Sequence, residues 1–139
     1  MKLNFNEVQG FPVPVKLYQL INHSLADTPT PNDDFNAITL NFRDPNYSAD
    51  AGGYHPVEIR MEKQDQLWQL VYITDFSYQG GPFPELVKEI DVCFISKQVF
   101  NLFIGWLQNR SAKELLTLFV SNFIEYFAND CYQVSVSFD

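Results

Sequence analysis

Residues Val57–Phe76 read VEIRMEKQDQLWQLVYITDF, and the fold follows from them. Val57, Ile59 and Met61 alternate with Glu58, Arg60 and Glu62. Side chains alternate between the two faces of a strand, so this segment is a half-exposed strand, apolar toward a core and charged toward water. The polar run Lys63–Gln66 is too short for the crossover that parallel strands need, so the next strand returns antiparallel. That run, Leu67–Phe76, is apolar on both faces. It predicts a central strand covered on both sides, or one that packs in an oligomer.

The same periods extend outward. Ile38, Leu40 and Phe42 alternate with Thr39 and Asn41 and predict another strand. Before it, Leu17, Leu20, Ile21 and Leu25 recur at helical spacing from Val15, with Pro14 suited to the first turn. Pro29 and Pro31 stop that helix. Residues 1–12 read as an extended arm, because Pro12 and Pro14 restrict the backbone. Downstream, Ser77–Pro84 reads as a loop around Gly80-Gly81, and a strand is expected from Val87 to Ile95. Residues 99–107 (VFNLFIGWL) fit helix or strand; the alternation of Phe100, Leu102, Ile104 and Trp106, with Gly105 interrupting any helix, favours a strand. Ala112–Ala128 is the strongest helix, with Leu115, Leu116, Phe119, Val120 and Phe123 on one stripe and a capping-box pattern at Ser111 and Glu114. Tyr132, Val134, Val136 and Phe138 alternate and give a last strand.

The expected order is helix, four or five strands, helix, strand. The expected fold class is α+β: an antiparallel sheet of about five to seven strands with an N-terminal helix and a long C-terminal helix packed on it. Residues 1–139 fit a single domain.

Composition narrows the function classes. Apolar residues make up 46% of the chain and aromatics 16%, enough burial to exclude disorder. The net charge is −8. Such a surface repels phosphate backbones and anionic membranes, and suits cationic protein partners or divalent ions. Cys93 and Cys131 sit in apolar surroundings and read as small buried hydrophobes; no CxxC pair points to a metal knuckle. Residues 1–16 lack the apolar centre of a signal peptide, and no apolar run reaches the roughly 18 residues of a membrane span, which predicts a cytoplasmic protein.

The chemistry-bearing residue types gather between Phe42 and Ile59. Asp44-x-Asn46-x-Ser48-x-Asp50 begins like a calcium loop, but Ala49 stands where that loop needs glycine and His55 where it needs a bidentate glutamate. Turn chemistry, with Asx side chains bonding the local backbone, accounts for the same residues. His55 is a candidate base or ligand without a nucleophile elbow beside it. Gly52-Gly53 and Gly80-Gly81 are not followed by the lysine of a phosphate loop and read as positive-φ turns. Asp75 lies in an apolar strand and needs a partner, for which a nearby loop amide is the expectation. Tyr47 and Tyr54 in the first loop, and Phe76, Tyr78 and Phe83 around the second, are too many to be all interior. The candidate binding residues are therefore Asp44, Asp50, Tyr54, His55, Tyr78 and Phe83, with no catalytic, metal or cofactor assignment.

Asn41-Phe42-Arg43-Asp44, Tyr47-Ser48-Ala49, Gly52-Gly53-Tyr54-His55-Pro56-Val57-Glu58, Tyr72-Ile73-Thr74-Asp75-Phe76 and Tyr132-Gln133-Val134 carry a family resemblance. Together they resemble an uncharacterised domain of unknown function of marine and enteric gamma-proteobacteria. The resemblance covers nearly the whole chain. It implies an association with genomic islands and a fold similar to the acidic, complement-receptor-like mitochondrial matrix protein, an antiparallel sheet with flanking helices that assembles into rings. It transfers no catalytic residues, because fold does not carry function. The functional expectation is a non-enzymatic acidic interaction protein, a homo-oligomer with a protein partner of cationic character. The alternative is a small-ligand binder or small enzyme using the Asp44–His55 loop.

Overall fold

The alternation at Val57–Met61 builds β2 (Val57–Gln64), the second strand in the computed structural model, which describes residues 1–139. α1 (Val15–Leu25) comes first. A meander follows: β1 (Ala37–Arg43), β2, β3 (Leu67–Gln79), β4 (Glu85–Cys93), β5 (Gln98–Asn101) and β6 (Gly105–Leu107). α2 (Asn109–Ala128) then runs back across the sheet, and β7 (Gln133–Phe138) pairs antiparallel with β1. The strand order is β6-β5-β4-β3-β2-β1-β7, and every pairing is antiparallel. The α+β architecture is the one expected.

One face of the sheet holds the core. Ile38, Leu40 and Phe42 of β1 and Ile59 and Met61 of β2 are fully buried against Leu17, Ile21 and Leu25 of α1 and Leu116, Val120 and Phe123 of α2. Each such side chain contributes about 1.5–3 kcal/mol through burial. The far face is polar. Arg60 donates to Thr39 and Asp139, Thr74 donates to Asp91 at 2.6 Å, and the Tyr72 hydroxyl donates to Glu58.

β3 has two apolar faces for a reason that periodicity hides. Its register against β2 shifts between Arg60 and Met61, leaving Val71 as an extra residue. Trp68 and Leu70 face the core before the bulge, and Ile73, Asp75 and Ser77 are buried after it. One strand thus shows its core side on even, then odd positions. The expectation of a strand covered on both sides is corrected: the helices cover one face, and the other carries the polar network. A second shift, between Asp75 and Phe76, leaves Glu89 extra on β4.

Other expectations shift with the pairing. β2 runs to Gln64, so its connection to β3 shortens to Asp65-Gln66, with Asp65 at φ 58°. β3 reaches Gln79, which reduces the second loop to residues 80–84, and β4 spans Glu85–Cys93, leaving Ile95 exposed in a turn. Residues 99–107 are not one strand. Asn101 Oδ1 accepts the Phe103 amide at 2.9 Å and Gly105 takes φ 100°, turning the chain between β5 and β6. Six strands therefore precede α2 rather than four or five. Pro14 is the N-cap of α1. α2 starts earlier than expected, at Asn109, with no side-chain cap, and Glu114 pairs with Arg110 at 2.9 Å instead of closing a capping box. Cys93 and Cys131 are free and half-buried rather than buried.

The N-terminal arm is extended, as expected, but it is bonded to the sheet. Beyond Tyr72 no residue of β4 pairs with the first part of β3. There Trp68 exchanges backbone bonds with Asn4 and Asn6, and the Gln9 side-chain amide both donates to and accepts from Leu70, at 2.9 and 2.8 Å. The Asn22 amide does the same for Leu3, at 3.1 and 2.7 Å. Two side-chain amides thus stand in for peptide groups at a strand edge and beside a helix.

No helix is long and apolar enough to cross a membrane.

Candidate functional site

A cleft of ≈ 470 Å³ opens between the sheet and α2. Leu115, Leu118, Phe119, Asn122, Phe123 and Tyr126 of α2 form one wall. Val57 of β2, Asp75 of β3 and Glu89 and Ile90 of β4 form the floor, Tyr132 closes one end, and Gly53, Tyr54 and His55 enter from the first loop. Nine of the fourteen lining residues are apolar, so the polar groups stand out by their convergence.

His55 Nδ1 lies 3.0 Å from Asp75 Oδ2 and 3.7 Å from Glu89 Oε2. Asp75 is 6% exposed, and its Oδ1 accepts the Ile90 amide at 2.8 Å. The partner amide belongs to the neighbouring strand rather than to a loop, which corrects the expectation for Asp75. The hydrogen bond to the Asp75 carboxylate holds the His55 pKa above its ordinary value, against the opposing effect of burial, and the charges of Asp75 and Glu89 add to the rise. Burial, foremost, pushes the Tyr132 phenol well above its usual range. The two bulges bring these groups together: the first turns Asp75 to the helix-covered face, and the second takes Glu89 out of the β4 alternation and aims it into the cleft.

The loop that delivers His55 is held by its own backbone. Asp44 Oδ1 accepts the Asn46 amide at 2.9 Å, and Oδ2 accepts the Tyr54 amide at 3.0 Å. Ser48 and Gly52 exchange backbone bonds at 3.2 and 3.0 Å. Gly53 takes φ 130°, and a Cβ there would meet Asp44 Oδ2 at 2.9 Å and Tyr47 Cα at 3.0 Å. Asp44 thus positions the loop and faces its amides, not the cleft.

The six candidate residues therefore separate. His55 and Tyr54 line the cleft, with the Tyr54 ring 4.8 Å from that of Tyr126. Asp44 supports them. Asp50 is exposed at the loop tip and makes no side-chain hydrogen bond. Tyr78 lies outside the cleft, stacked on Tyr47 at 5.3 Å, and the Tyr47 hydroxyl accepts the Tyr78 amide at 3.1 Å. Phe83 is 87% exposed and belongs to no cluster. Sequence reasoning missed Glu89 and the α2 wall. Glu89 is hidden by a bulge, and the α2 residues read as core because their stripe is core at Leu116 and Val120 and cleft wall beside them.

Comparison with known proteins agrees with the resemblance. Residues 15–137 match the model of the family described as Protein of unknown function (DUF2787), and the chain belongs to that family. Among solved structures, the hypothetical protein VC0508 from the VSP-II pathogenicity island of Vibrio cholerae is 36% identical, with a TM-score of 0.90 over 99% of this chain and 100% of that one. The conserved hypothetical protein VC1805 from pathogenicity island VPI-2 of Vibrio cholerae is 35% identical, with a TM-score of 0.79 over 91% of this chain and 95% of that one. VC1805 is described as sharing structural homology with the human P32 protein. No protein of curated function matches the chain.

Proposed function

We propose that this DUF2787 protein binds a small molecule with an apolar or aromatic body in the cleft between the sheet and α2, without turnover. One observation carries the reading: apolar walls converge on a single polar cluster, His55, Asp75 and Glu89. Sites for small molecules have this form, an apolar lining that supplies affinity and a few fixed polar groups that set orientation. The aromatic wall of Tyr54, Phe119 and Tyr126 suits a ring or an alkyl chain.

The test uses two probes of one shape and opposite charge, 4-phenylbutylamine and 4-phenylbutyrate, followed by calorimetry and thermal shift. Leu118 is 59% exposed on α2 at the cleft, so Leu118→Trp adds bulk there without disturbing the core. At least one probe is expected to bind the native chain and to lose affinity in Leu118→Trp. Binding that is unaffected by this substitution, or no binding by either probe, overturns the reading.

A second reading, a protein-binding homo-oligomer, is favoured by a separate observation. Ile95, Phe103, Ile104 and Trp106 are each more than half exposed around the β5–β6 hairpin, at the free β6 edge of the sheet. Clustered exposed hydrophobes beside an unpaired strand suit a second chain. The acidity of the chain, −8, favours a cationic region on any protein partner. Light scattering at high micromolar concentration is expected to show an assembly that Phe103→Asp with Ile104→Asp dissociates; a strict monomer in the native chain sinks this reading.

A further inference from the structure

We propose that His55, Asp75 and Glu89 hold a divalent transition-metal ion in the floor of the cleft, an inference that rests on the cleft being a ligand site. One imidazole nitrogen and two carboxylate oxygens lie within 4.8 Å of one another. Donors bound at about 2.0–2.2 Å around one ion sit roughly 3–3.5 Å apart, close to the 3.0 and 3.7 Å that separate His55 Nδ1 from Asp75 and Glu89. Small side-chain movements bring all three onto a common centre.

The competing account is a structural His–Asp pair in a polar corner. It explains Asp75, which is bonded through both oxygens. It does not explain Glu89. That carboxylate is 20% exposed and receives no hydrogen bond from the protein; its distance of 3.7 Å from the imidazole is beyond hydrogen-bond reach. Its oxygens reach the open cleft, so the feature to explain is its direction rather than a buried charge. A bulge in β4 puts it there, where a regular ladder would point the position elsewhere. A cation between Glu89, Asp75 and His55 accounts for three donors meeting at one point.

The donor set selects the kind of ion. Imidazole with carboxylates suits manganese, iron, cobalt, nickel or zinc in the divalent state. The cluster has no thiolate to favour cuprous copper, and calcium prefers an all-oxygen shell. The Ile90 amide on Asp75 Oδ1 is the outer-shell bond that orients a ligating carboxylate. Three protein donors leave coordination positions open toward the cleft, where the polar head of a bound molecule would sit.

A metal also reverses the ligand preference of the floor. Without it, two carboxylates attract an ammonium group; with it, their charge is neutralised and an open coordination position takes a carboxylate. The test strips the protein with EDTA and titrates zinc by calorimetry, then repeats the phenylbutylamine and phenylbutyrate titrations with and without zinc. One zinc per chain is expected, weakened at least about tenfold by Glu89→Gln and by His55→Ala and unchanged by His23→Ala. Zinc is expected to shift preference from the amine to the carboxylate probe. Glu89→Gln conserves shape, and circular dichroism checks that it folds. Absence of zinc binding, or equal zinc affinity in native, Glu89→Gln and His55→Ala chains, overturns the metal site. Amine binding that Leu118→Trp abolishes then still upholds the cleft. Zinc binding that persists in Leu118→Trp, with no probe binding in the native chain, upholds the metal and removes the cleft reading.

Discussion

The two glycine loops of this protein look alike in sequence and are held differently. Both set a Gly-Gly pair among prolines and aromatics, and all four of these glycines take positive φ. The first loop closes on itself: Asp44 binds two amides, Ser48 and Gly52 pair, and Ser48 Oγ accepts the Ala51 amide at 3.0 Å. No side-chain hydrogen bond holds residues 80–84, and a Cβ on Gly81 would meet nothing within 4 Å. The difference is a carboxylate and a hydroxyl at the right spacing. A polar residue in a loop invites a ligand reading, but a backbone that must satisfy its own amides uses it first. Only the braced loop delivers a side chain to the cleft.

Urea denaturation with constant m-value can break or sharpen this contrast. Gly53→Ala should have the largest effect, a loss of about 2–3 kcal/mol, because its φ excludes side chains and the new Cβ meets both Asp44 and the Tyr47 backbone. Asp44→Ala should cost about 1–2 kcal/mol by leaving the Asn46 and Tyr54 amides without their acceptor, and should weaken cleft ligands by loosening His55. Tyr47→Phe should cost about 0.5–1 kcal/mol through the lost acceptor for the Tyr78 amide, while keeping the stacked ring. Phe83→Ser and Asp50→Ala should stay within about 0.5 kcal/mol. If Phe83→Ser costs as much as Asp44→Ala, the second loop is braced too and the contrast fails.

Wherever one period holds across a whole element, the fold was legible. β1, β7 and both helices lie where Ile38–Phe42, Tyr132–Phe138, Leu17–Leu25 and Leu115–Phe127 indicate. Legibility fails where a bulge or turn resets the count. Val71 makes β3 look apolar on both sides, and the alternation through Leu102 and Ile104 runs straight over a tight turn. The site divides in the same way. His55 stands out by residue type, and Asp75 by being an acid in an apolar strand. Glu89 gives no signal, because its inward direction comes from a register shift that depends on pairing with β3. The capping pattern at Ser111 and Glu114 shows the opposite failure, a local signal that the tertiary start of α2 at Asn109 overrides.

The arm that rests on β3 also imposes an order in time. Gln9 and Leu70 are sixty-one residues apart. At about 5–20 residues per second, roughly 3–12 seconds separate their synthesis on the ribosome. Throughout that interval Asn4, Asn6 and Gln9 lack the strand they bond, and when β3 does emerge its first residues offer an open edge until the arm returns. Docking of the arm is therefore a late, long-range closure, slowed by the loop it must span. The nascent chain is most exposed to wrong partners in the moments before the backbone at Asn4 and Asn6 and the Gln9 side chain complete an edge that the rest of the sheet leaves unfinished.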